Sequence, residues 1–391
     1  GDHRDLHLSI RRQRQMCIRD STTIEMRANF GQSTFKYQPP EGYKPLCSAN
    51  LPRPAEARPD KHYFKTVLYT GNATSRSIVS NFATDFVWIK RRSGTEGHVL
   101  ANSVVGANSF QSSNSNADDN TASNCVTGFN RDGVTVGTQG IVNDNNETFV
   151  SWHWKAGGGT GAGGEFWIDD VQYASVSAAG LDGGSINPTG ASVNTKAGFS
   201  IIRYESTAAN PESFEHGLTR KPEFMICKKT GAAGKDGGGG DRGWSTFHHS
   251  LDDGKVLFMD TNGDEYNEPN FWHNNGGVTD SLVYVGGDYN TGDNDGAEYV
   301  GFAWHGVPGL QQFGKYPGNG STDGCYVHLG FRPVLIFLKM YSGADDNWAI
   351  MTPKLNSPLM NNSGYASNVS SHLRCDTTGA CLLYTSDAAD E

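Results

Sequence analysis

The sequence predicts an all-β protein made of tandem antiparallel β-sandwich modules of the jelly-roll or concanavalin-like type. The first reason is a run of large apolar and β-branched residues ending in lysine, which occurs at residues 86–90, 224–228 and 335–339. The second is a tyrosine-containing segment upstream of each run. The third is the abundance of turn formers, including 49 glycines, with no sustained helical periodicity.

The lysines that end the three runs are Lys90, Lys228 and Lys339. A continuous apolar run is typical of a strand that is buried on both faces. A long lysine stem can lie over apolar surface while its ammonium group reaches water. We therefore expect the three lysines to mark strand ends and to keep their ammonium groups solvated.

Composition excludes several classes of protein. The net charge of −10, without a basic stripe, argues against nucleic-acid binding. No apolar stretch reaches the roughly 18 residues that a membrane-spanning helix needs, so no membrane span is expected. The 7 cysteines are scattered without a CxxC pair, which indicates isolated thiols rather than a disulfide framework or a zinc site.

The two ends of the chain share an unusual origin. One nucleotide inverted repeat can encode residues 11–21 on one strand and residues 381–390 on the other. Such a string resembles a transposase adapter used in sequencing libraries. Protein structure gives no reason for two chain ends to share one inverted repeat. We expect residues 1–21 and 381–391 to be adapter-derived rather than native, with no part in folding. A basic N-terminal arm that binds an acidic partner is the alternative.

Residues 22–47 carry Asn-Phe-Gly at 29–31 and Pro-Pro-Glu-Gly-Tyr at 39–43. Short alternation followed by a proline and glycine turn indicates the last strand leaving a β-domain. The segment resembles the C-terminal end of SPRY-type, concanavalin-like domains. That resemblance implies that the rest of such a domain precedes the segment; a plain linker is the alternative.

The remaining chain divides into a connector, two whole modules and a partial one. Prolines make residues 48–62 an extended linker. The first two modules share an aromatic closing strand, at 148–154 and 298–304, whereas the third stops before its closing strand. The predicted ranges are 63–157 for the first module, 158–197 for a Gly-rich connector with a hairpin, 198–306 for the second module and 307–380 for the truncated third.

This organisation resembles a family of repeated β-sandwich modules found in structural proteins of tailed phages, many of them marine. The matching motifs are Tyr-x-Gly-Asn at 69–72, Phe-Val-x-Ile-Lys at 86–90, Phe-x-x-Asp-Gly-Val-Thr-Val-Gly at 129–137 and Trp-x-Trp-Lys-Ala-Gly-Gly at 152–158. The resemblance implies a virion component near the tail or tail fibre, assembled in the host cytoplasm. It implies other virion proteins as partners, a homo-oligomer, and neither a cofactor nor catalytic residues.

One acidic turn has the spacing of hard oxygen ligands. Asp260, Asn262 and Asp264 alternate as in a calcium loop. Glu265 stands where such loops need glycine, and the expected later glutamate is missing. A solvated turn is the other interpretation, and Ca²⁺ is the only ion that the pattern suggests.

The best candidate contact surface is the predicted hairpin at 165–173, which has no counterpart after the second module. It places three aromatic rings beside two carboxylates, a mixture that suits a sugar or a partner protein. The alternative is that the hairpin packs on the first module and buries its rings. The residues concerned are Phe166, Trp167, Tyr173, Asp169 and Asp170.

Most other tryptophans recur at the same place in each module, which predicts core packing. Trp272 lies outside the repeat and is therefore a second candidate for stacking on a sugar. Ser-His-Asp order, a paired-acid site and a phosphate loop are not recognisable. Two functions remain: a structural and adhesive virion protein bound to a host-surface glycan or receptor, or a carbohydrate-binding lectin-like protein or glycan-active enzyme.

Overall fold

The computed structural model divides the chain into two compact units, residues 1–52 and 53–391. The predicted adapter-derived ends and almost all of the SPRY-like segment 22–47 lie outside the described residues. The structure describes residues 29, 33–37, 40, 59–117, 120–207, 209–230, 243–272, 277–286, 290–292, 296–321, 324–353 and 373–379.

The all-β prediction is confirmed. Within the described ranges the helices are single turns: α1 (Pro59–His62), α2 (Gly140–Asn143) and α3 (Pro269–Trp272). None of them has the length and apolar character needed to cross a membrane. The strands pair almost entirely antiparallel, with short turns between them.

The first module is a sandwich of two main sheets. A four-stranded sheet with the order β1-β9-β3-β4 packs on a three-stranded sheet with the order β2-β8-β7. Their inner faces form a core that includes Val87, Ile89 and Val134. The strands are β1 (Phe64–Thr70), β2 (Arg76–Val79), β3 (Phe86–Arg91), β4 (His98–Asn102), β5 (Ser109–Phe110), β6 (Asn120–Thr121), β7 (Val126–Asn130), β8 (Gly133–Val136) and β9 (Thr148–Trp154).

The second module has the same two-layer construction on a larger sheet. Its strands are β10 (Phe166–Ile168), β11 (Val171–Tyr173), β12 (Pro188–Asn194), β13 (Phe199–Glu205), β14 (Glu212–Glu215), β15 (Phe224–Thr230), β16 (Ser245–His248), β17 (Lys255–Phe258), β18 (Tyr266–Asn267), β19 (Leu282–Val285) and β20 (Glu298–Trp304). A nine-stranded sheet has the order β11-β10-β12-β13-β20-β15-β16-β17-β18, and the pair β14-β19 packs over it.

The region 307–380 contributes one small sheet among the described residues. It has the order β21-β22-β23, with β21 (Ile336–Leu338), β22 (Ala349–Met351) and β23 (Leu373–Arg374). All pairings in it are antiparallel.

The two large sheets share strand order and register. The order β1-β9-β3-β4 of the first sheet corresponds to β13-β20-β15-β16 of the second. In each, a tryptophan of the central strand lies opposite a phenylalanine on both sides. These residues are Phe64, Trp154 and Phe86 in the first sheet, and Phe199, Trp304 and Phe224 in the second. The module boundaries stay predictions from the sequence.

The outer faces of these sheets meet in a central core. Alternating residues of one strand therefore belong to two cores: Val87 faces the core of the first module and Trp88 faces the central core. This explains why β3 is buried on both faces, as the continuous apolar run predicts. All three regions contribute, through Trp88 and Trp152, through Ile226 and Phe302, and through Trp348 and Ile350.

Candidate functional site

The lysines at the strand ends are the first correction to the sequence analysis. Lys90 and Lys228 are fully buried, and Lys339 is partly buried. The ammonium groups of Lys90 and Lys228 do not reach water as expected, and all three ammonium groups donate hydrogen bonds to backbone carbonyls. The physical reason is that sheets from different modules close over the strand ends, and buried donors need acceptors.

Each lysine donates to a carbonyl of a different module, and the three bonds form a cycle. The first module reaches the third, the second reaches the first, and the third reaches the second. The bonds run from Lys90 Nζ to Thr378 O (3.3 Å), from Lys228 Nζ to Asn116 O (2.8 Å) and from Lys339 Nζ to Asn262 O (3.1 Å).

A ring nitrogen beside each lysine donates a second hydrogen bond between the same two modules. In register, His98 lies opposite Lys90, and Trp244 and Trp348 occupy the corresponding positions just before β16 and β22. Each nitrogen donates to a carbonyl four positions before the acceptor of its neighbouring lysine. The bonds run from His98 Nε2 to Arg374 O (3.0 Å), from Trp244 Nε1 to Ser112 O (2.9 Å) and from Trp348 Nε1 to Phe258 O (2.9 Å).

A neutral His98 can accept one hydrogen bond at Nδ1 and donate another from Nε2, as this position requires. Trp88 Nε1 donates to His98 Nδ1 over 2.8 Å, which leaves the Nε2 proton to bond Arg374 O. Burial, with a smaller contribution from the charge of Lys90, lowers the pKa of His98 to about 3. The neutral imidazole therefore replaces the indole that the other two modules use.

Each carbonyl that accepts a ring N–H is followed in sequence by a residue at an equivalent position, and these three residues lie close together. Ser113, Met259 and Cys375 are all fully buried. Ser113 Oγ donates to Cys375 O over 2.6 Å, and Cys375 Sγ lies 3.6 Å from Met259 O. We call the whole set of lysine, ring-nitrogen and inner contacts the closure cycle. It links the three regions that the sequence predicts as modules.

The predicted calcium turn belongs to the closure cycle. Asp260 Oδ1 accepts the backbone N–H of Trp244 at 2.8 Å, and the carbonyl of Asn262 accepts the Lys339 ammonium. Burial lowers the pKa of Lys339, and the charges of nearby carboxylates, Asp376 first and Asp264 last among them, oppose that fall. Among the described residues, no group of His, Cys, Asp or Glu side chains is arranged to hold a metal ion.

The predicted hairpin at 165–173 exists, formed by β10 and β11. Its turn residues Asp169 and Asp170 have φ of 50° and 68°, the two positive values of a tight hairpin turn. Both carboxylates are used internally. Asp169 accepts the backbone N–H of Thr195 at 2.9 Å, and Asp170 pairs with Lys155 at 2.7 Å.

The hairpin extends the sheet of the second module, because β10 pairs in parallel with β12. Phe166 packs against the core of that module, while Trp167 and Tyr173 are partly buried. The indole N–H of Trp167 is enclosed and meets no acceptor in the described part of the chain. The hairpin therefore does not present its rings and carboxylates as one surface.

The second glycan candidate, Trp272, lies in the core. It ends α3 and is 1% exposed, and its ring centroid is 6.2 Å from that of Phe247. Its ring has no accessible face on which a sugar could stack.

Sequence reasoning missed Asp85, a fully buried carboxylate that fastens the Gly-rich connector. Backbone N–H groups of Ala156 and Gly159 donate to it at 2.8 and 2.7 Å, and Ser192 of the second module donates at 2.7 Å. Burial raises the pKa of Asp85, and these donors oppose that rise. The only sequence signal was its place directly before the apolar run.

The Gly-rich connector is packed closely against neighbouring backbone. At Gly157, a Cβ atom would lie 2.2 Å from the carbonyl oxygen of Trp167. Only glycine permits that approach. The glycines therefore serve close contact between backbone segments.

A buried serine–histidine pair lies within hydrogen-bond distance in the first module, but it is enclosed. Ser151 Oγ and His153 Nε2 are 2.9 Å apart, and Thr84 rather than a carboxylate lies against Nδ1 at 3.2 Å. All three side chains are buried, and burial lowers the pKa of His153 to about 3. The arrangement stabilises the first module and is closed to a substrate.

Comparison with known proteins adds a family. A family model described as a domain of unknown function, DUF7483, matches residues 59–383. The match covers all three predicted modules. No curated protein and no solved structure matches the chain.

Proposed function

The chain belongs to the DUF7483 family, and we propose that it is a structural component of a virion, in a tail or tail fibre. The observation that supports this role best is the closure cycle, in which a lysine of each module donates a hydrogen bond to a backbone carbonyl of another. A unit closed in this way holds its shape without a cofactor or a ligand.

The central core supports the same role. Interfaces between modules of one chain are commonly polar and allow relative motion, whereas large apolar interfaces hold modules rigidly. Here the interface contains buried aromatic rings from two sheets, and the ring centroids of Phe86 and Phe302 are 4.7 Å apart. A rigid three-module block suits a part that transmits load in a particle.

The virion setting rests on the sequence motifs, which resemble repeated modules of tailed-phage structural proteins. Other virion proteins are the partners that this proposal expects, and assembly takes place in the host cytoplasm. A homo-oligomer remains part of the proposal.

Immunogold labelling tests the setting. Antibodies raised against the recombinant chain are applied to purified tailed-phage particles that carry a member of this family. We expect label on the tail or its fibres, and loss of label after the antibodies are absorbed with the chain. Intact tails without label, with the antigen confined to the soluble lysate, contradict the proposal.

A second candidate function is adhesion to a host-surface glycan or receptor through the hairpin. The observation that favours it is the position of β11 at the outer edge of the nine-stranded sheet, where Val171 is 52% exposed. Exposed edges can pair with a partner strand. A lectin-like protein or a glycan-active enzyme remains the alternative.

A further inference from the structure

We propose that Asn319 is a site of spontaneous covalent modification, at which the backbone nitrogen of Gly320 displaces the side-chain amide as ammonia. The closure cycle protects Asn262 from the same reaction. Among the described residues, these are the two asparagines that a glycine follows. The modification is a property of the chain itself and is independent of the virion setting.

The reaction needs water as its only co-reactant. The glycine nitrogen gives its proton to hydroxide and attacks Cγ of the asparagine side chain. The Cγ–Nδ2 bond breaks, and the amide nitrogen takes a proton from water and leaves as ammonia. A water molecule then opens the cyclic imide at one of its two carbonyl carbons, which yields aspartate or isoaspartate. Glycine favours the attack because it has no side chain to shield its nitrogen.

Asn319 has the arrangement that this attack requires. Asn319 and Gly320 are both exposed, and a Cβ atom added at Gly320 would meet nothing within 4 Å. The backbone N–H of Ser321 donates to Asn319 Oδ1 over 3.1 Å, which forms an Asx turn. The turn folds the asparagine side chain back toward the intervening nitrogen of Gly320. The attacking atom and Cγ therefore lie on the same side of the backbone, in contact with water.

Asn262 is held against the same attack by contacts with the third region. Its carbonyl oxygen accepts Lys339 Nζ at 3.1 Å and the backbone N–H of Asp346 at 2.9 Å. The rotation about ψ that brings the next nitrogen to Cγ would move this carbonyl and break both bonds. Gly263 is also buried, and a Cβ atom there would lie 2.3 Å from the Tyr266 hydroxyl. The reaction at Asn262 therefore requires local opening of these contacts.

Incubation of the full chain in mildly alkaline buffer made with heavy-oxygen water tests the proposal. The heavy oxygen enters at the hydrolysis step, so it marks conversions that occur in the folded chain rather than during later digestion in ordinary water. Peptide fragmentation in a mass spectrometer assigns each conversion to one asparagine. We expect Asn319 to convert at least about tenfold faster than Asn262, a ratio that corresponds to about 1.4 kcal/mol of local stability.

Two lysine variants separate local protection from general stability. Lys339→Met removes one of the two donors to the Asn262 carbonyl, so conversion of Asn262 should become several-fold faster while that of Asn319 stays unchanged. Lys90→Met is the matched control, because it removes an ammonium group from a different link of the closure cycle and should change neither rate. Circular dichroism checks that each variant stays folded during the incubation.

Equal conversion of the two asparagines in the unaltered chain overturns the proposal. An unchanged rate at Asn262 in Lys339→Met overturns the protective role of the closure cycle. An equal rise at Asn262 in Lys90→Met overturns it as well, because general loosening of the chain would then control the reaction.

Discussion

At the residue scale, the buried lysines show how a charge can serve as a link between modules. Lys228 is fully buried and donates to the carbonyl of Asn116 in another module. Its hydrogen bond is charge-assisted and therefore stronger than a neutral one. Removal of the ammonium group takes this charge-assisted hydrogen bond away from the contact between the two modules.

The first prediction concerns these lysines. Lys228→Met and Lys90→Met should each lower the free energy of unfolding by roughly 1.5–3 kcal/mol, because the charge-assisted hydrogen bonds of a fully buried lysine side chain are lost. Lys339→Met should cost less, since that side chain is partly exposed. Urea unfolding measures the three values, with Lys221→Met at an exposed site as the control. Equal values for all four variants would show that the carbonyl contacts do not matter.

The second prediction concerns Asp85. Asp85→Asn keeps the shape but turns an NH₂ group toward N–H donors of the connector, so we expect a loss of about 2–4 kcal/mol in unfolding free energy. The corresponding carboxylate of the second module, Glu223, accepts one backbone N–H from Gly306 at 2.9 Å and is partly exposed. Glu223→Gln is therefore the matched control and should cost about 1 kcal/mol or less. Calorimetry that ranks the two variants in the opposite order contradicts this account.

At the element scale, the 165–173 hairpin is an integral part of the nine-stranded sheet, which limits the surface that it can present to a partner. Its parallel pairing with β12 and the contacts of its two carboxylates fix it in place. What it leaves exposed is the edge of β11 rather than an aromatic patch. An adhesive role for the hairpin therefore depends on the edge of β11, whereas its aromatic rings serve packing.

The third prediction uses two hairpin variants. Trp167→Ala should lower the thermal midpoint by several degrees, because a partly buried ring is lost from a packed hairpin. Val171→Asp should leave the midpoint unchanged, since that side chain is half exposed. If the hairpin is adhesive, Val171→Asp should abolish adsorption to host cells or to a glycan array. Retained adsorption in Val171→Asp removes the hairpin edge as a contact surface.

At the scale of the whole molecule, buried neutral histidines govern the response to acid. Burial lowers the pKa of His98 and His153 to about 3, and of His216 and His248 to about 4. In the unfolded chain these groups take up protons near pH 6.5. The folded state is therefore favoured above that pH, and its stability falls as the pH drops toward 3 to 4.

The fourth prediction gives the size of this fall in the free energy of unfolding. Each histidine should remove about 1.4 kcal/mol per pH unit within that window, and the raised pKa of Asp85 opposes the trend because its folded form binds a proton more readily. Urea titrations between pH 7 and 4 measure the slope. The double variant Trp88→Phe with His98→Trp supplies the pair found at Phe337 and Trp348. It should therefore reduce the slope by the contribution of one histidine, about 1.4 kcal/mol per pH unit. An unchanged slope would mean that His98 is not a neutral link.

The amino-acid sequence by itself determined the strand content and the positions of the two buried runs at 86–90 and 224–228, whereas the third run at 335–339 is only partly buried. Apolar runs bounded by turn residues specify strands locally, and the similar runs 86–90 and 224–228 occupy the same place in the two equivalent sheets. The 165–173 hairpin was also predictable, since Asp169 and Asp170 can adopt the positive φ that its turn requires.

Only the tertiary structure decided the environments of the polar groups. Lys90 and Lys228 read as strand ends that reach water, and Trp272 reads as a surface ring, because nothing local shows which module will cover them. Asp85 gave no signal because its donors lie in the connector and the second module, far along the chain. Burial depends on where separate sheets meet, so the closure cycle appears only when all three regions are packed together.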